Sequence, residues 1–191
     1  AAKFMHGTGA FLSPRSNDVY KRYDATILIG QHAMAGTERG NMNHTQNSTT
    51  REYCKLNGKY IGETGQWALH SGLLGVPTIF LSGDEAACEE AEELIDGITT
   101  AAVKEGLSRS AAISLSKEQA RARIKAGIKQ AIQKQRKEPI GPLVWDGPYV
   151  MEMRFLFTDS ADRYMRRSPL YERIDSRTVQ LKSENLMEIL Y

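Results

Sequence analysis

The 191-residue chain is 41% apolar and carries a net charge of +2, enough apolar content to bury a core in one large domain or two small ones. Its longest apolar runs, Ile27 to Ile29 and Val76 to Leu81, stop far short of the roughly 20 residues of a spanning helix, so no membrane partner is expected. Cys54 and Cys88 stand apart without a CxxC pattern, which excludes a disulfide scaffold and points to a reducing, cytoplasmic location.

The charge is uneven. Residues 1–103 hold 8 Lys and Arg against 12 Asp and Glu, whereas residues 104–191 hold 17 against 11. The basic excess falls largely on Lys117 to Lys137, where charged and small residues surround a thin apolar stripe. A solvated helix face explains that pattern, and with no aromatic residues interleaved among the Lys and Arg, a nucleic-acid partner is not expected. The start, AAKFMHGTGAFL, has neither an initiator Met nor the segments of a signal peptide and reads as a cut end.

In chain order, Ala25 to Gly30 reads as a short β-branched strand buried on both faces. Glu63 to Leu74 carries Trp67, His70 and Leu74 at helical spacing and stops at Gly75. Val76 to Ser82 is a second strand, after which Asp84 caps a helix whose Glu85, Glu89 and Glu90 suit its positive end. Gly97 closes that helix and Ile98 to Val103 reads as another strand. Ser116 to Gln119 fits a capping box ahead of a long helix striped by Ile124, Ile128 and Ile132, ended by Pro139 and Pro142. Tyr149 to Phe157 alternates as a half-buried strand, Thr158 caps a short helix, Thr178 to Leu181 returns as a strand, and Ser183 caps a last helix. The expected fold is α/β: a partial three-layer sheet-and-helix domain over residues 1–108, then a small α+β domain over 109–191, with the boundary near Lys104 to Ser114.

The residues that suggest chemistry gather around the first strand. Ligands collect beyond the carboxyl ends of parallel strands, and His32 stands just past one. His44 follows through a loop containing Gly36 and Gly40, and Glu63 opens a helix between Gly62 and Gly65. Imidazoles and a carboxylate at one sheet end suit a zinc ion or acid-base work, although the spacing matches no HExxH or cysteine-based zinc pattern. His70 is expected in the core. His6, before Gly7-Thr-Gly9, lacks the Gly-Lys-Ser/Thr of a phosphate loop, and Lys104 and Arg109 could reach an anionic group, although solvation explains them as well. No GxSxG elbow or cysteine-base pair supports a covalent nucleophile.

The segments GQHAMAG, MNHT, GETG, GVPTIFLSGDEAACEEAEELI and TTAAVKEGLSRSAA, in that order, closely resemble the zinc-dependent D-aminopeptidase family, most strongly from Tyr23 to Ala112. The resemblance implies a hydrolase that releases N-terminal D-amino acids, typically D-alanine, from short peptides with two neighbouring zinc ions, in a homo-oligomeric decamer ring. It implies that His32 and Glu63 bind metal and that His44 is the catalytic histidine. The family's front Asp-x-Glu motif and a later Asp-Ser-His-like histidine have no counterpart here, so the chain is expected to be a piece of a longer or split protein and inactive alone, with a sheet edge left exposed. The alternative is a non-catalytic binding or assembly module of the same fold.

Overall fold

The computed structural model describes residues 18–19 and 21–190; the His6 segment lies outside them. The chain builds two sheets. In the first, β1 (Thr26–Gln31), β4 (Thr78–Asp84) and β5 (Thr99–Ser108) run parallel, and β6 (Ala111–Ser114) returns antiparallel on β5, giving the order β1-β4-β5-β6. In the second, all antiparallel, β2 (Arg51–Leu56) and β3 (Lys59–Tyr60) join β7 (Tyr149–Phe155), β8 (Tyr171–Arg173) and β9 (Thr178–Ser183) in the order β3-β2-β7-β9-β8. The second sheet therefore takes two strands from the first half of the sequence.

Helices cover the parallel sheet on both faces. Successive side chains of β4 point opposite ways, so Phe80 packs with Ala101 and Ala131 on one side, while Leu81 packs with Ala68, Ala87, Ala91 and Ile95 on the other. The first of these faces is covered by α3 (Lys117–Lys137), the second by α1 (Glu63–Leu73) and α2 (Glu85–Leu94). This is the three-layer α/β arrangement expected. Helix α1 also sends Leu69 into the core of the second sheet, among Leu56, Met151, Phe155 and Val179, so one helix is wedged between both cores.

Local signals account for the ends. Asp84 caps α2 by accepting from the Ala87 N–H (3.2 Å), and Ser116 with Gln119 forms the full capping box of α3. Gly75 and Gly97 follow α1 and α2 in the left-handed conformation that other residues avoid.

Several expectations need correction. Strand β1 is not buried on both faces: it pairs only with β4, and Ile27 and Ile29 are 41% and 56% exposed. As an edge strand among the described residues, it lacks the neighbour that burial on both faces requires. The deepest residues of α3 are Gly127 and Ala131 rather than the isoleucines, because the helix approaches Phe80 too closely for larger side chains. Thr158 is the first helical residue of α4 (Thr158–Met165), preceded by Phe157 as its cap. After β9 there is one 3₁₀ turn, Leu186–Glu188, capped by Asn185; Ser183 accepts from the Asn185 N–H (2.9 Å) instead of starting a helix.

Candidate metal centre

Chain geometry brings His32, His44 and Glu63 together. His32 leaves the carboxyl end of β1, Glu63 is the first residue of α1, and the loop between them returns His44 so that its N–H meets the Ala33 carbonyl (3.3 Å). The imidazoles stack with centroids 3.8 Å apart and planes 21° from parallel. Both Nε2 atoms face the same carboxylate oxygen, Glu63 Oε1, at 3.9 Å for His32 and 3.6 Å for His44. One ligand atom from each of the three lies within 4.8 Å of the other two.

The tautomers follow from the hydrogen bonds. His32 Nδ1 lies 3.0 Å from the Ala33 carbonyl oxygen, and His44 Nδ1 lies 2.7 Å from that of Met42. A carbonyl oxygen only accepts, so each Nδ1 carries the donated hydrogen, and in the neutral ring Nε2 is then the position with a lone pair. Two lone pairs and a carboxylate oxygen then converge at separations too long for direct hydrogen bonds. Three acceptors aimed at one point repel one another, and a cation between them reverses the sign. Backbone-anchored histidines with Nε2 directed inward are also the outer arrangement that zinc sites use to orient their ligands. The donor set fits zinc.

The loop from Met34 to Ser48 is pinned at both ends and in the middle. Its strained residues are the informative ones: Arg39, Met42 and Gln46 have φ of 57°, 59° and 61°, a conformation costing a non-glycine residue roughly 1–2 kcal/mol. Each is tied to another element. Arg39 donates from Nη2 to Glu105 (2.6 Å) and from Nε to the Gly106 carbonyl (3.3 Å), the Met42 N–H donates to the Arg109 carbonyl (2.8 Å), and the Gln46 N–H donates to Glu63 Oε1 (2.6 Å). Beneath the loop, Asp84 accepts from the Asn41 N–H (2.6 Å) with the carboxylate oxygen not used to cap α2. Arg109 donates to the Asn43 and Ser48 carbonyls (3.3 and 3.1 Å). Two clefts flank the loop. One, of about 310 Å³, is lined by Met34, Tyr60, Gly62, Glu90 and Trp145; the other, of about 430 Å³, by Met34 to Thr37 with Tyr53 and Tyr60.

A family model described as D-aminopeptidase matches residues 13–191. The chain belongs to this D-aminopeptidase family. It is similar to the D-aminopeptidase of Bacillus subtilis (strain 168), with 32% identity over 166 residues, covering 87% of this chain and 59% of that protein. Among solved structures it is similar to the Zn-dependent D-aminopeptidase DppA from Bacillus subtilis, a self-compartmentalizing protease, with a TM-score of 0.81 at 30% identity over 89% of this chain and 61% of that one. The chain thus spans about three-fifths of the length of the relatives it matches.

Within this family fold, His32, His44 and Glu63 are the residues that sequence reasoning singled out, and they meet. His70 is buried, and burial lowers its pKa. Arg109, read as solvated or as reaching an anionic group, is instead a strut of the histidine loop. Glu90 was assigned only to the positive end of its helix, yet it turns inward, accepts from the Met34 N–H (2.6 Å) and is 8% exposed. Burial, reinforced by Asp84, Glu93 and Glu63, pushes its pKa up to about 7 despite the Met34 hydrogen bond. A glutamate among five in a helical run gives no sequence signal that distinguishes it from the solvated ones.

Proposed function

We propose that the chain carries the metal-binding and catalytic segments of a zinc-dependent aminopeptidase that releases N-terminal D-amino acids, D-alanine among them, from short peptides. The observation that carries this reading is the convergence of His32 Nε2, His44 Nε2 and Glu63 Oε1 on one point with both Nδ1 atoms committed to carbonyls. His32 and Glu63 hold metal. His44, on the loop and reaching the same oxygen from the other side, exchanges a proton with the reacting groups or stabilises the charge that develops on them. When bound, zinc supplies Lewis acidity toward the scissile carbonyl and toward a water. Arg109 and Asp84 hold the His44 loop still, which keeps the imidazole within reach of that water. The peptide lies in the clefts beside Met34 and Tyr60.

The similarity to a self-compartmentalizing protease supports a homo-oligomeric assembly, which we propose to be a decamer ring in the cytoplasm. Among the described residues no helix is long and apolar enough to cross a membrane. The full centre is proposed to hold two zinc ions. His32 and Glu63 offer two donors, and two close dications need further carboxylate and imidazole ligands, so the chain alone should hold zinc weakly and hydrolyse little.

The test is to measure bound zinc and D-alanine released from a D-alanyl dipeptide, by the chain alone and by the chain supplemented with a segment bearing the Asp-x-Glu and Asp-Ser-His-like donors. Activity is expected only with that segment. Full activity of the chain alone would overturn the incomplete-centre reading, and failure of zinc to perturb His32 or His44 under either condition would overturn the metal reading. In the active form, His32→Ala should lose zinc and activity together, whereas His44→Ala should lose about 100-fold or more in rate with zinc nearly intact. Equal zinc loss in both would make His44 a ligand.

A further inference from the structure

The mechanism so far leaves unused a buried carboxylate that touches both metal-bearing segments. Glu90 sits on α2 and reaches up between the end of β1 and the start of α1. Its Oε2 accepts from the N–H of Met34, two residues beyond His32. Its Oε1 lies against Gly62, the residue immediately before Glu63: a Cβ placed on Gly62 would stand 2.4 Å from Oε1 and 2.8 Å from the Met34 Cβ. Gly62 is therefore glycine because the Glu90 carboxylate and Met34 fill the place of its side chain, in a backbone conformation that any residue could adopt.

We infer that Glu90 is a positioning residue for the metal centre, a clamp that sets the separation of His32 and Glu63 by holding Met34 on one side and seating Gly62 on the other. This inference rests on the metal reading above. Packing alone gives little reason for an acid here, since a carboxylate 8% exposed that accepts from the Met34 N–H is a costly core group. What the carboxyl group supplies is reach: it spans from the middle of α2 to two backbones, one two residues from His32 and the other adjacent to Glu63. Asp84, one end of the helix away, does the same for Asn41, so α2 presents a carboxylate to each end of the loop that separates the two histidines. The acceptor geometry, rather than the charge, does the positioning, because Met34 needs only an oxygen. Glutamine keeps that oxygen and alanine removes it.

The test compares Glu90→Gln and Glu90→Ala in the chain, first without metal and then in a zinc titration followed by the ring-proton NMR signals of His32 and His44. Without metal, Glu90→Ala should raise the exchange rate of the Met34 amide at least about tenfold and shift the His32 ring signals, while Glu90→Gln should leave both near wild type. With zinc, Glu90→Ala should weaken binding by about 10- to 100-fold, the range expected for loss of an outer partner of a metal ligand, and Glu90→Gln should restore it. Gly62→Ala, which drives a methyl into the same carboxylate, should weaken zinc binding in the wild-type background and do so less in Glu90→Ala. Circular dichroism establishes that each variant is folded, and Gly62→Ala serves should Glu90→Ala fail to fold. Unchanged Met34 exchange and unchanged His32 signals in folded Glu90→Ala would overturn the clamp whether or not zinc binds. Absence of any zinc response in the wild type, with those metal-free changes present, would overturn the metal reading and leave the clamp standing as a geometric device.

Discussion

At the scale of single residues, the same glutamate gives the molecule a pH signature. The Glu90 pKa rises in the folded chain from 4.5 to about 7, chiefly because burial disfavours its charge. Between those values the folded chain holds a proton that the unfolded chain has released, so stability contributed by this group is complete below pH 4.5 and is lost as pH rises toward 7. The loss is on the order of 3 kcal/mol. Glu90→Gln cannot ionise, so thermal melts from pH 4.5 to 8 should show the wild type losing ground to the variant across that window; parallel curves would mean that Glu90 is not desolvated. The histidines and Glu63 were legible as site residues because each carries a local mark, a strand end or flanking glycines. Glu90, Asp84 and Arg109 were not legible as their supports, since what they hold are backbone groups 43 to 66 positions away, and no sequence window contains both partners.

Among elements, the strands that went unread explain themselves. In β2 the buried positions are Arg51, Cys54 and Leu56, so a charged residue occupies an inward place and the alternation of apolar residues fails. Arg51 is accommodated by bonds to Cys54 Sγ (3.0 Å) and the Tyr164 hydroxyl (2.7 Å), with its guanidinium over the Phe155 and Tyr164 rings. Strand β7, by contrast, alternates buried and half-buried residues without a break and is legible from its first residue, although the expected strand to Phe157 runs two residues past its end at Phe155. Helix α3 was legible from its capping box, yet its contact face was misplaced because a glycine and an alanine, which carry little hydrophobic signal, make the closest approach. That yields a test of sign. Gly127→Ala gains about 1 kcal/mol of helix propensity, but the new Cβ would stand 2.6 Å from the Phe80 ring, and overpacking of a core typically costs about 1–3 kcal/mol. The ring is fully buried and has nowhere to retreat, so the variant should be less stable in urea, by roughly 1 kcal/mol net. A stabilised variant would show that α3 rides loosely on the sheet.

For the molecule as a whole, the class of fold was readable from the order of strands and helices, whereas the way in which the sheets share the chain was not. The β2–β7 ladder joins Arg51 through Leu56 to Met151 through Phe155, and α1 contributes Ala68 to one core and Leu69 to the other. Neither sheet keeps its core if α1 leaves. Unfolding should therefore be a single transition. Trp67 lies on α1, and Trp145 packs against the second core, so single-tryptophan variants made by Trp67→Phe and Trp145→Phe should give coincident urea midpoints by fluorescence. Separated midpoints would mean that the two layers fold independently.

The loop that carries His44 has a consequence for how the protein comes into being. Many of its fastenings are remote: Asp84 ends β4, Glu90 lies on α2, Arg109 lies beyond β5, and the Gln46 side chain donates to the carbonyl of Leu190 (3.2 Å), 144 positions along the chain. During synthesis the histidines emerge before these remote partners, and closing such long loops is entropically costly until the rest of the fold rewards it. The donors thus reach their final spacing only when segments as distant as Leu190 have docked. A nascent chain built this way offers newly made His32 and His44 as a mobile pair rather than a finished trap for passing cations, and acquisition of metal becomes a late event, coupled to docking of those distant segments.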